Sequence, residues 1–159
     1  AMKTLAPLGR RAAALALTAS VVLAAMPLLP APAAAHGYKL GAISIGHVWA
    51  PPMEPGADGV PVYGPILNGG PEAVRLVGVS TPVAKAARFR VAKDGAVSWP
   101  DAIEFRSGRP LAMAAWRQHI WLSGLTRPLN AGDSFEMTLD FGPQGSKTVT
   151  VVVETAPGH

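Results

Sequence analysis

From Tyr38 onward, apolar and polar residues alternate with a period of two, the pattern of strands that bury one face. The clearest case is Ser134 to Phe141. Phe135, Met137, Leu139 and Phe141 fall on one face, and Ser134, Glu136, Thr138 and Asp140 on the other. Gly142-Pro143-Gln144-Gly145 turns this strand, and Thr148 to Glu154 pairs back through Val149, Val151 and Val153. Earlier, Ile43, Ile45, His47 and Trp49 share a face opposite Ser44 and Gly46, until Pro51-Pro52 ends the strand and a Pro/Gly/Asp loop runs from Met53 to Gly59. Val60 to Leu67 reads as a proline-interrupted edge strand. Val74–Val79 and Ala87–Val91 are strands on either side of Ser80-Thr81-Pro82, and Lys93-Asp94-Gly95 is a hairpin turn. Ala96 to Ala115 shows no clear pattern beyond short pieces around Ile103–Phe105 and Leu111–Met113. A central strand follows at Gln118–Leu122, and Asn130-Ala131-Gly132-Asp133 forms a turn. No stretch keeps a helical period for three turns. Seven to nine short strands predict an all-β fold: a single antiparallel β-sandwich or small Greek-key barrel.

Residues 1–35 stand apart from this pattern. Lys3, Arg10 and Arg11 form a basic head, Ala12 to Leu29 is an almost unbroken apolar run, and Ala33-Ala34-Ala35 offers small residues at a cleavage point. These are the marks of a cleaved export signal, which leaves 36–159 as one domain, no membrane span after cleavage, and a periplasmic location. The split also changes the charge. Of 14 basic residues, Lys3, Arg10 and Arg11 leave with the signal, so 11 remain against 10 acidic ones. So balanced a chain gives no reason to expect nucleic-acid binding. With no cysteine among the 159 residues, a soft-metal site here must use His and Met.

Five segments resemble, in order, those of the PCuAC family of periplasmic copper(I) chaperones. They are Gly46-His47-Val48-Trp49-Ala50; Tyr63 to Gly70; Arg75 to Pro82; the Trp116–Asp133 stretch with Gly124-Leu125-Thr126-Arg127-Pro128-Leu129-Asn130-Ala131-Gly132-Asp133; and the last two strands. The resemblance implies a cupredoxin-like β-sandwich that carries copper to an acceptor protein of the periplasm or membrane. In the family, two His and two Met hold the ion. Carried over residue by residue, the first His position holds Arg90 within Phe89-Arg90-Val91. The first Met stretch reads Ser98-Trp99-Pro100, and the closing His-x-Met is His119-Ile120-Trp121. Only His119 is retained. An arginine has no lone pair to give a metal.

Three readings follow. In the first, the protein is an exported copper-binding or copper-delivery protein with an altered ligand set, more readily copper(I) than copper(II). Its ligands are then His119 with Trp121 over the ion, and Met53 or Met113 supplying sulfur. In the second, Arg90, Trp99, Trp116 and Trp121 have replaced the metal site with a protein- or anion-binding surface. The run of Arg88, Arg90, Arg106, Arg109, Arg117 and Arg127 supports that surface. In the third, cleavage after Ala35 exposes the amine and imidazole of His36, which together with His47 make a nitrogen-rich copper(II) set. His159 ends the chain as a solvated residue. Enzyme chemistry is not expected. No Gly-x-Ser-x-Gly, paired-carboxylate motif or phosphate-cradling loop is present, and a nucleophile would lack a base beyond His47 and His119.

Overall fold

The computed structural model describes Thr4 and residues 37–155. The remainder of residues 1–36 and residues 156–159 lie outside the described residues, and residues 37–155 belong to one compact unit. Fourteen strands are found among the described residues, in three four-stranded sheets and one two-stranded sheet. The first sheet has the order β1 (Tyr38–Leu40), β2 (Ile43–Ile45), β5 (Gly64–Asn68), β11 (Leu111–Met113). The second runs β3 (Trp49–Ala50), β14 (Ser146–Val153), β13 (Ser134–Asp140), β7 (Gly78–Ser80). The third runs β4 (Gly59–Val62), β12 (Gln118–Leu125), β8 (Ala84–Lys93), β9 (Ala96–Ser98). β6 (Val74–Leu76) pairs with β10 (Ile103–Phe105). Pairing is antiparallel apart from β3 on β14.

The all-β expectation holds, and the higher strand count has a physical cause: single sequence runs are cut where the chain passes between sheets. Val60–Leu67 is two strands. Val62 pairs with Ile120 in the third sheet, whereas Ile66 pairs with Ile45 and Leu111 in the first. Gly64 sits at the changeover with φ 155°, and a Cβ there would lie 2.9 Å from the His47 carbonyl oxygen. Ile43–Trp49 is cut as well. The Gly46 N–H donates to the Pro65 carbonyl at 2.9 Å, and Trp49 exchanges two hydrogen bonds with Tyr63. Three steps along one strand thus face two along the other, so one extra residue is inserted, as in a β-bulge. The alternation slips by one. Val48 and Ala50 are buried, and His47 and Trp49 turn outward, off the face of Ile43 and Ile45.

The Ser134–Phe141 reading holds residue for residue. Phe135, Met137, Leu139 and Phe141 are buried, and the Val149, Val151 and Val153 side chains of β14 join them in one apolar core. Only Asn68 and His119 are polar among the buried residues described. Asn68 is fully used: its Nδ2 donates to the carbonyls of Glu72 (2.6 Å) and Phe105 (3.1 Å), and its Oδ1 accepts the Gly70 N–H (3.0 Å). It therefore fastens the end of β5 to β10. Asn68→Ala removes three hydrogen bonds and strands the buried Phe105 carbonyl, and we expect it to destabilise the fold by about 1–3 kcal/mol, read as a lower urea midpoint with an unchanged slope.

Candidate functional site

β12 lies between β4 and β8, and its alternation divides its side chains between the two faces of the sheet. Ile120 and Leu122 enter the core, opposite Phe89 and Ala87 of β8. His119 and Trp121 take the other face, opposite Arg90 and Arg88. Across this antiparallel pair His119 and Arg90 are direct partners, so side chains at the two positions meet. The β8–β9 hairpin turns at Asp94 (φ 51°) and Gly95 (φ 77°) and brings Trp99 back beside them. The rings of Trp99 and Trp121 meet edge to face at 6.5 Å. The Arg90 guanidinium carbon lies 5.0 Å from the Trp121 ring centre and 6.0 Å from that of Trp99, and Arg88 stacks on Trp99 at 4.1 Å. Arg90, Trp99, His119 and Trp121 therefore form one cluster.

His119 is completely buried. Its Nδ1 faces two carbonyl oxygens, of Arg117 at 3.0 Å and Ala114 at 3.1 Å, and must carry the proton to donate to them. Its Nε2 faces the Arg90 Nη1 at 3.3 Å, and a guanidinium can only donate, so Nε2 presents its lone pair there. Tyr63 packs edge-on against the ring at 5.6 Å and itself touches Trp49 at 5.1 Å. Burial lowers the His119 pKa; the two carbonyls oppose this and Arg90 adds to it. Burial also raises the Tyr63 pKa, with Arg90 pulling the other way. The site therefore holds a neutral imidazole, a neutral phenol and one fixed cation. The nitrogen able to ligate a metal is taken by that cation.

The other candidates are placed elsewhere. Met113 is a core side chain of β11, and Met53 packs against the core edge, its N–H donating to the Leu129 carbonyl at 3.0 Å. Neither is a hydrogen-bond or aromatic partner of His119. Trp116 is 74% exposed and stands apart from the Trp99–Trp121 contact. His47 Nε2 lies 2.5 Å from Glu154 Oε1, both side chains about a quarter exposed. His36 lies outside the described residues. Among the described residues, no three His, Cys, Asp or Glu side chains gather as a metal site, and no helix is long and apolar enough to cross a membrane. Sequence reasoning missed Tyr63, Glu154 and the stacking of Arg88. Glu154 meets His47 because β3 runs parallel to β14, with Trp49 opposite Val152, a pairing between distant segments that alternation alone does not reveal.

A family model described as "Putative lipoprotein LpqE-like" matches residues 43–153. A similar protein, "Putative lipoprotein Lxx21020" of Leifsonia xyli subsp. xyli (strain CTCB07), is 27% identical over 135 residues, covering 82% of this chain and 80% of that protein. Among solved structures, the copper-bound PCuAC domain from PmoF2 is 27% identical with a TM-score of 0.69, covering 76% of this chain and 99% of its own. The solution structure of CuI-DR1885 from Deinococcus radiodurans shares the fold at 19% identity and a TM-score of 0.62, covering 77% of this chain and 83% of its own. The fold is thus the PCuAC-type, cupredoxin-like one expected from the ordered segments.

The lowered His119 pKa has a consequence for stability. The unfolded imidazole takes a proton below its ordinary value of 6.5, and the folded one resists it, so the unfolded state binds more protons and stability falls as pH drops through that range. Urea denaturation at pH 7 and pH 5 should show this loss in the wild type. In His119→Asn, which keeps a donor for the two carbonyls and does not titrate, the loss should be smaller.

Proposed function

The chain belongs to the LpqE-like family, and from that premise we propose that it is an exported, non-enzymatic copper-binding protein whose copper position has moved off His119. Export is supported by the signal-like residues 1–35 and by the lipoprotein description of its relatives. Copper is supported by the likeness to a copper-bound PCuAC domain. The observation that carries the relocation is the Arg90–His119 contact. A soft site here needs the Nε2 lone pair and a thioether. The lone pair meets a guanidinium, and Trp121 stands where the family has methionine.

The positions of His47 and Gly37 support a new place for the ion. The β1–β2 hairpin pairs Tyr38 with Ile45, and a Cβ on Gly37 would lie 3.8 Å from the Ile45 carbonyl oxygen. In this proposal His36, which lies outside the described residues, comes close to His47. Cleavage after Ala35 would give His36 a free α-amine, so an amine and two imidazoles would converge, a nitrogen set that favours copper(II). In this reading Glu154 accepts the His47 Nε2 proton and leaves the Nδ1 lone pair for the metal, the carboxylate–histidine arrangement that orients metal-binding imidazoles. Copper delivery to an acceptor protein is part of the same proposal.

The test is a copper(II) titration, followed by electron paramagnetic resonance, of the protein beginning at His36. One equivalent should bind. His47→Ala, or one extra residue placed before His36, should abolish the site. Glu154→Gln should weaken it about 10–100-fold, and His119→Asn should leave it intact. Loss of binding in His119→Asn alone would overturn the relocation.

A further inference from the structure

The β4-β12-β8-β9 sheet has an unusual charge. Its strands carry Lys85, Arg88, Arg90 and Lys93, and none carries an Asp or Glu. Residues 36–159 are near charge balance, so the cations are concentrated here by the fold. Asp94 in the β8–β9 turn and Asp101 beyond Trp99 are the carboxylates that flank β8 and β9 in sequence, and neither forms an ion pair with Arg88 or Arg90.

Exposed apolar side chains lie on and beside the strands that carry these cations. The large hydrophobic residues exposed among those described are Leu67, Val77, Val97, Trp99 and Trp116; Val97 lies on β9, Trp99 directly follows it, and Trp116 lies in the turn two residues before β12. Val97 pairs with Ala92 across the β8–β9 hairpin, and Gln118, two residues after Trp116, pairs with Val91. Val97 is 47% exposed, Trp99 39% and Trp116 74%. Indoles on solvent beside unpaired cations cost free energy unless something covers them.

The stacking indicates what kind of surface would do so. The Arg88 guanidinium lies over the Trp99 ring and that of Arg90 over Trp121, and the N–H groups beyond the one Arg90 directs at His119 can donate to an oxyanion. A dissolved anion would satisfy the guanidinium groups and leave Val97, Trp99 and Trp116 wet. An anionic bilayer satisfies both, because tryptophan favours the headgroup layer and arginine its phosphates. We propose that this end of the sheet docks the protein on an anionic phospholipid surface, with Trp116 and Trp99 entering the headgroup layer and Arg88, Arg90 and Arg117 meeting lipid phosphate. Docking is separate from copper binding and does not require it.

Sedimentation of the copper-free protein beginning at His36 tests this, using vesicles of phosphatidylcholine alone or mixed with phosphatidylglycerol. The protein should pellet with the mixed vesicles only, and be released near 1 M salt, where screening acts within about 3 Å. Arg88→Gln should lower the partition about fivefold, the worth of one cation at such a surface. Trp116→Ser should lower it with the charge untouched, and millimolar inorganic phosphate should not displace the protein. Equal binding to phosphatidylcholine, no binding to either vesicle, displacement by phosphate, or indifference to both substitutions would each overturn the proposal.

Discussion

A permanently charged guanidinium lies 3.3 Å from the lone pair of a fully buried imidazole, and most of what is particular to this protein depends on that contact. It requires a neutral His119, because a proton on Nε2 would set donor against donor. The two carbonyls at Nδ1 enforce the same tautomer from the other side. Trp121 and Trp99 hold the cation from beyond. Together these side chains pack across β8, β12 and the residue that follows β9.

The same contact separates two roles that share a fold. This chain shares the PCuAC-type fold, and its cross-strand pairing sets a cation beside the buried imidazole. Arg90 opposite His119 is the direct result. The Arg90 guanidinium occupies the side of His119 that carries its lone pair. The proposed copper position lies instead beside the β2–β3 bulge, where His47 leans on Glu154. The freed sheet face, rich in arginine and tryptophan, becomes a surface.

Much of the fold was legible because alternation reports burial directly. Phe135 to Phe141 and Val149 to Val153 needed nothing else. Between Ala96 and Ala115 alternation showed only short apolar pieces around Ile103–Phe105 and Leu111–Met113, where β10 and β11 lie, and it left β9 unread. Alternation failed at Gly46–Val48, where one inserted residue exchanges the faces and turns His47 away from the core, because a bulge leaves no mark in hydrophobicity. At the site, Arg90 and Trp121 could be placed from the ordered motifs, and register then made them neighbours. Tyr63 beside His119, and Glu154 beside His47, come from contacts between segments far apart in the chain, which a linear pattern does not carry.

The most direct test of the account is a long-range proton–nitrogen NMR spectrum of the imidazoles of the protein beginning at His36, recorded before and after one equivalent of copper(I) under reducing conditions. Held by Arg90, His119 should show the Nδ1-protonated neutral tautomer in both spectra, with its Nε2 resonance unmoved. Movement of that Nε2 resonance on adding copper would mean that the ion displaces Arg90 and takes the lone pair, and would contradict the account at its centre.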